Sequence, residues 1–422
     1  MPSIRSILLS GSLAIGLAFP AMAQDKKAED TAMAALRAAP VFDGHNDVPI
    51  QLRSRFDNRL GQFDFEDTSN TASEDRDKMH TDLRRLREGR VGAQWWSVYV
   101  SGDQPEVDAV RQTMEQIDVT KRLVAKYPDD MTLALTAADV ERAVKAGKIA
   151  SLIGMEGGHS IGSSLAVLRQ MYDLGARYLT LTHNQNTPWA DSATAAPEHN
   201  GLTDFGKAVV REMNRIGMLV DLSHVSEKTM HDALDVSTAP VIFSHSGVRG
   251  VAAHPRNVPD SVLRRLPENG GVIYVVALPW FITEDLRQHA ANRAAEEARL
   301  DSLYRGQVDE IVRLLAVWDE ANPPPASTIG DVADHIDYIR KNAGIDHIAI
   351  GGDYDGMPSG PVGMEDVSGY PALFVELAKR GYSRSDLEKI SMRNAVRAMR
   401  DAEIASANMK TASPDDQLIA AQ

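Results

Sequence analysis

The chain has 422 residues, 43% hydrophobic and 25% charged, an ordinary globular composition that excludes disorder, collagen-like repeats and low-complexity scaffolds. It contains no cysteine, so disulfides, cysteine-based zinc fingers, iron–sulfur clusters and thiol nucleophiles are excluded. Lys and Arg total 45 against 59 Asp and Glu, a net charge of −14, which argues against a nucleic-acid partner and against a polybasic membrane anchor.

The N-terminus has the pattern of an export signal. Arg5 is followed by an apolar run from Ile7 to Phe19 and by Ala21-Met22-Ala23, small residues at a cleavage position. The run is too short for a comfortable membrane span, so no stable membrane anchor is expected. Residues 1–23 are therefore expected to leave a single exported domain, 24–422, periplasmic or secreted. The polar end from about 405 to 422 reads as a flexible tail.

Short β-rich runs then alternate with helical stretches. The strands are expected at Val41–His45, Gln94–Val100, Ile149–Met155, Arg177–His183, Met218–His224, Pro240–His245, Gly271–Ala277 and His347–Asp353. Helical patterns lie between them, for example Val107–Lys126, Ala137–Ala146, Ser164–Leu174, Thr203–Ile216 and Ser226–Leu234. Most strands are near-continuous apolar runs, as in a parallel sheet buried on both faces. Eight such units in series predict an α/β fold, a (β/α)8 TIM barrel. Two segments exceed the basic barrel. Residues 51–78 are charged and read either as a lid over the C-terminal mouth or as a solvated loop. Residues from about 283 to 325 read as a helical insertion after strand 7, stopped by Pro323-Pro324-Pro325. It would cover the site or pack against a second subunit in a homodimer.

The chemistry-bearing residues fall at strand ends. His45 and Asp47 close the first strand, Glu156 the third, His183 the fourth, His224 the fifth, His245 the sixth and Asp353 the eighth. In a barrel these ends converge on the C-terminal face, where active sites lie. Four imidazoles and three carboxylates in one small volume would strand charge and polar groups unless cations sat between them. A divalent metal pair removes that penalty, and the donor set suits zinc, manganese, iron or cobalt. His80, His159, His199, His231, His254, His289, His335 and His347 are set aside as ligands. Of these, His80, His289 and His335 are expected on surface helices or loops. Asp355 competes with Asp353 for the acidic role, and Asp353 is preferred because it ends the strand. Trp95 and Trp96 are expected in core packing.

These residues sit in stretches that match a family. They include Asp43-Gly44-His45-Asn46-Asp47, Gly154-Met155-Glu156-Gly157, Leu181-Thr182-His183-Asn184 and Val220-Asp221-Leu222-Ser223-His224. Phe243-Ser244-His245-Ser246, Arg256-Asn257-Val258-Pro259-Asp260 and Gly351-Gly352-Asp353-Tyr354-Asp355-Gly356 continue the series. Over nearly the whole mature length the chain resembles the membrane (renal) dipeptidases, a branch of the metal-dependent amidohydrolase superfamily. It departs from the familiar eukaryotic members in lacking disulfides and a lipid-anchor tail, and Val276–Trp280 is more apolar than the matching stretch.

The resemblance implies that His45 and Asp47 bind one metal ion, His224 and His245 a second, and Glu156 bridges them. His183 would contact the substrate and polarise its scissile carbonyl. Arg256 would pair with the substrate's terminal carboxylate, although from spacing alone, with Arg249, Arg264 and Arg265 nearby, a surface ion pair is the favoured reading. Asp353 would handle the proton. Two metals can share a bridging water and lower its pKa. The expected function is a zinc-dependent dipeptidase with two divalent metal ions per chain and a dipeptide substrate, L-D dipeptides included. The competing readings are another hydrolase on the same site (an N-acyl-amino-acid amidase, lactonase or phosphoester hydrolase) and a non-catalytic periplasmic binding protein.

Overall fold

The computed structural model describes residues 18–417 apart from 74 and 75, with side chains from residue 24 onward. The first seventeen residues of the expected export signal lie outside the described residues. The backbone of 18–38 is one helix, Ala18–Ala38, which runs across the expected cleavage position.

Nine strands form among the described residues: β1 (Val41–Asn46), β2 (Val91–Ser97), β3 (Met131–Leu133), β4 (Ile149–Glu156), β5 (Ala176–Thr180), β6 (Leu219–Asp221), β7 (Val241–Ser246), β8 (Val272–Val276) and β9 (Ile348–Gly351). All pairings between them are parallel. Eight strands close a ring, because β2 pairs with β4 on one side and with β1 on the other, and β1 meets β9 through Asp43 and Ile350. The fold is a (β/α)8 TIM barrel, as the alternation predicts. β3 was not anticipated; it pairs with Ile149–Ser151 of β4 outside the ring.

Every residue of β1, β2, β4, β6, β7, β8 and β9 is buried, which is why their sequences carry no polar alternation. The helices begin where a side chain can cap them. Ser164, Thr203 and Ser226 each accept the backbone N–H three residues on, at Val167, Gly206 and Thr229.

The lower interior of the barrel is aromatic. Trp95 packs between Phe42, at 6.1 Å, and Tyr178, at 4.9 Å between ring centroids. Tyr178 fits because Gly154 lies opposite its ring, where any Cβ would collide with it. Trp96 faces the other way, onto Phe65. Both tryptophans thus serve core packing.

The described residues of 51–78 are largely exposed, as in the solvated-loop reading, yet the segment is pinned to the barrel. Phe56, Phe63 and Phe65 stack on one another and anchor the segment to the core, and Phe63 and Phe65 are buried. The insertion after the strand expected as the seventh (here β8) is a helical hairpin, Glu284–Leu303 and Val308–Ala321. Leu303, Val308 and Val312 on it are exposed. The tail expected from about 405 starts later: the last helix runs to Asn408, Ser406 donates to the Arg215 carbonyl and the Asp415 N–H reaches Glu212. His80 and His335, expected near the surface, are buried.

Candidate active site

The C-terminal mouth gathers the residues singled out above. His45 lies within β1 and Asp47 follows it, at the N-cap of the helix Val48–Phe56. Glu156 is the last residue of β4, and His245 lies within β7. The other three sit beyond their strands. His183 is three residues past β5, His224 three past β6 and Asp353 two past β9. His224 and Asp353 both adopt left-handed backbone, with φ of 69° and 63°. That conformation is costly for residues other than glycine and turns both side chains into the mouth.

Glu156 is the centre of the cluster. Its Oε2 lies 3.4 Å from His45 Nε2 and accepts a 2.9 Å hydrogen bond from Ser97. Its Oε1 lies 3.0 Å from His224 Nε2, 3.4 Å from His245 Nε2 and 3.8 Å from His183 Nε2. His45 Nε2 is also 3.4 Å from Asp47 Oδ2. Potential donor atoms fall into three tight sets, each within 4.8 Å: His45, Glu156 and His245; Glu156, His183 and His224; His45, Asp47 and Asp353. None of the histidines set aside above joins a set.

The electrostatics follow from this crowding. Burial opposes charge on Glu156, but the imidazoles of His45, His224 and His183 hold its carboxyl well below the usual range. Burial, with the carboxylates of Asp47 and Glu156, pushes the Asp353 carboxyl well above it, against His45 and Arg256. Burial and the Arg256 charge hold His224 and His245 well below the ordinary imidazole value. His183, stacked 4.2 Å from His224 and 4.5 Å from Tyr99, is lowered to about 4, chiefly by burial.

The residues fit a divalent cation on two observations. His45 Nε2 is fully buried with no hydrogen-bond partner, while Nδ1 of the same ring is 3.0 Å from the Tyr178 hydroxyl. His224 Nε2 and His245 Nε2 lie 3.0 Å apart, aimed at the same carboxylate oxygen. An imidazole–carboxylate set of this kind is metal-ligand chemistry.

Arg256 is 2% exposed and makes no ion pair among the described residues, which removes the surface-pair reading. Its Nη2 lies 3.0 Å from His245 Nε2, and its Nε and Nη1 are buried without partners. Burial lowers the guanidinium to about 10, still charged at neutral pH. A cavity of about 350 Å³ opens above, walled by these groups together with Ile50, Gln51, Tyr99, Asn184, Leu278 and Phe281. The wall therefore takes Gln51 from one extra segment, Ile50 from just before it, and Leu278 and Phe281 from just before the other. The hairpin helices line none of it.

Asp355 takes a different role from Asp353. Its Oδ1 accepts the His80 N–H at 2.8 Å, so it ties the loop after β9 to residue 80. Gly356 next to it has no room for a side chain, because a Cβ would run into the carboxylates of Asp47 and Asp353. Sequence reasoning missed Tyr99 as a wall residue, since it reads as the end of an apolar strand. It also left Ser97, Tyr178, Asp221 and Ser244 without roles, although the last two stand inside the quoted motifs.

Comparison with known proteins agrees with this geometry. The family model for membrane dipeptidases, peptidase family M19, matches residues 29–413. Dipeptidase tcpJ of Claviceps purpurea is 42% identical over 381 residues, 88% of this chain and 79% of its own. The fold matches the probable dipeptidase PvdM of Pseudomonas aeruginosa with a TM-score of 0.77 at 24% identity, over 90% of this chain and 99% of that one. It also matches a metallopeptidase of Rhodobacter sphaeroides, solved with a phosphinate mimic of L-Ala-D-Ala, with a TM-score of 0.70 at 23% identity, over 86% and 99%. A match across nearly the whole folded chain, with the motif residues drawn together at one barrel mouth, shows that this chain belongs to the membrane dipeptidase family, M19.

Proposed function

We propose that this chain is a metal-dependent dipeptidase that hydrolyses the peptide bond of small dipeptides, L-D dipeptides included. The observation that carries the reading is the division of Glu156, with one carboxylate oxygen toward His45 and the other toward His224 and His245. His45, Asp47 and Glu156 would hold one divalent ion, and Glu156, His224 and His245 a second, with zinc well suited to the set. When bound, such a pair supplies Lewis acidity and a more acidic water.

The remaining roles fall to the protein's own groups. Arg256 binds the terminal carboxylate of the substrate through Nε and Nη1, whose buried donors otherwise lack partners. A planar fork suits a carboxylate, and the water-poor mouth strengthens the pair. His183 is neutral at pH 7 and donates a hydrogen bond to the scissile carbonyl oxygen as charge develops on it. Asp353, grouped with Asp47 and His45, takes a proton from the attacking water and returns it to the leaving amine. The modest cavity favours a dipeptide over longer chains. Acceptance of a D-residue is supported by the L-Ala-D-Ala mimic bound to the Rhodobacter relative.

The buried Arg256 favours substrates with a free carboxylate over lactones and phosphoesters. N-acyl amino acids share that carboxylate, so a panel of L-Ala-D-Ala, L-Ala-L-Ala and N-acetyl-alanine separates a dipeptidase from an amidase. The central test is metal analysis and L-Ala-D-Ala hydrolysis for wild type and Glu156→Gln. Two zinc ions per chain with turnover in the wild type, and loss of both in the variant, are expected. Unchanged turnover in Glu156→Gln would sink the bridging role. Export rests on the pattern of residues 1–23, and N-terminal sequencing of the mature protein tests it with Gln24 as the expected first residue. Among the described residues no helix is long and apolar enough to cross a membrane.

A further inference from the structure

We propose that Asp221, which reaches no metal position itself, sets up the His224–His245 half of the centre by fixing which nitrogen of His245 is bare. This rests on the two-metal reading above. Asp221 ends β6 and is fully buried. Its Oδ1 accepts the backbone N–H of Ser223 at 3.1 Å and of Ser244 at 2.8 Å. Those residues immediately precede His224 and His245, so one oxygen ties both ligand-bearing strand ends. Its Oδ2 accepts the hydroxyls of Thr180 at 2.5 Å and Ser244 at 2.6 Å.

The Ser244 hydroxyl is the link to the metal position. It gives its one hydrogen to Asp221, yet it also lies 2.9 Å from His245 Nδ1. That second bond forms only with His245 Nδ1–H as the donor. Nε2 is then left without a hydrogen, and it is the nitrogen 3.4 Å from Glu156 Oε1 and 3.0 Å from His224 Nε2. Asp221 thus holds His245 from behind in the form that a cation requires, the same form that the Arg256 Nη2 donor 3.0 Å from Nε2 calls for, by the logic of a carboxylate behind a ligating histidine. Asp43 in β1 makes the matching backbone ties, accepting from the N–H groups of His45 at 3.2 Å and Gly352 at 2.8 Å. Its remaining oxygen accepts from Tyr370, so it has no hydroxyl leading to a ligand ring.

Asp221→Asn separates this role from packing. The substitution keeps size and, through its one oxygen, both backbone bonds. Its amide nitrogen donates to Ser244 Oγ, which turns its own hydrogen toward His245 Nδ1. The hydrogen on the ring moves to Nε2, and that nitrogen closes to a cation. Removing the hydroxyl as well, in Asp221→Asn with Ser244→Ala, removes the misdirected hydrogen.

The test is competition for Zn2+ between the full mature chain and a graded chelator, read as zinc content by atomic emission, with the folded state checked by circular dichroism. Wild type is expected to hold two zinc ions. Asp221→Asn should bind one of them about 10- to 100-fold more weakly and keep the other. Ser244→Ala alone should weaken it only several-fold, and the double variant should return to the Ser244→Ala level. Wild-type zinc affinity in Asp221→Asn overturns the proposal, as does a double variant weaker than either single one, which is what a purely structural role gives. If Asp221→Asn does not fold, Ser244→Ala carries the test, and unchanged zinc affinity there overturns it. A wild-type chain with fewer than two zinc ions overturns the two-metal reading, and the inference with it, before any variant is compared.

Discussion

Arg256 Nη2 lies 3.0 Å from His245 Nε2, the same nitrogen that lies 3.4 Å from Glu156 Oε1. A guanidinium and a cation side by side repel, so the loaded site leaves Arg256 needing an anion in front of it. The carboxylate of a dipeptide supplies one. Arg256→Lys keeps the charge but loses the fork. Hydrogen bonds to a charged group contribute about 1.5–3 kcal/mol, so KM for L-Ala-D-Ala should rise roughly 10- to 150-fold with kcat changed only a few-fold. Steady-state kinetics at matched zinc content checks this, and an unchanged KM would remove Arg256 from carboxylate recognition.

Chelation should abolish turnover and lower the melting temperature together. A ligand present at 100 times its Kd adds about 2.7 kcal/mol to folding stability, so each ion lost removes a contribution of that order. Buried Asp47, Glu156 and Asp353 are then left crowded against one another. Calorimetry of stripped and zinc-restored enzyme measures the difference, and equal melting temperatures would argue against ligation by these residues.

Gly356→Ala should inactivate without unfolding. The added methyl group meets the carboxylates of Asp47 and Asp353, which must move by more than the precision catalysis tolerates. A fall in kcat of at least about 100-fold is expected, with a near-native circular dichroism spectrum. Near-wild-type kcat would mean that these two carboxylates need no fixed position.

Acid should destabilise the protein through His335. This buried ring accepts the Val248 N–H on Nδ1, at 2.9 Å, and donates from Nε2 to the Ile282 carbonyl, at 3.1 Å. Burial lowers it from 6.5 to about 4. The unfolded chain therefore binds this proton first. Stability from His335 is complete above about pH 6.5 and is lost as pH falls toward 4, by on the order of 3 kcal/mol in all. Urea denaturation of wild type and His335→Gln across pH 4–7 checks the sign: the variant, less stable at pH 7, should show the shallower decline.

The barrel and the identity of the clustered side chains were legible because parallel strands buried on both faces must be apolar runs, and a polar residue closing such a run marks the mouth. The ends of those runs were not. Met218 to His224 reads as one strand, but pairing stops at Asp221, whose carboxylate takes N–H groups at the strand ends, and His224 turns to a φ of 69°. His183 and Asp353 lie past their strands in the same way. The phenylalanines of 51–78 gave no periodicity, since they pack on one another and on Trp96 rather than along a face. Arg256 could not be told from its neighbours Arg249, Arg264 and Arg265 by spacing, because what separates them is burial.

The ring closes where the first strand meets the last, and the cluster straddles that join: His45 and Asp47 come from one side and Asp353 from the other. A nascent chain halted before residue 348 already carries Glu156, His224 and His245, but not the wall that brings Asp353 beside His45. Full ion uptake is therefore a property of the finished polypeptide, and metal content in a series of C-terminal truncations would act as a ruler for when synthesis has produced a working mouth.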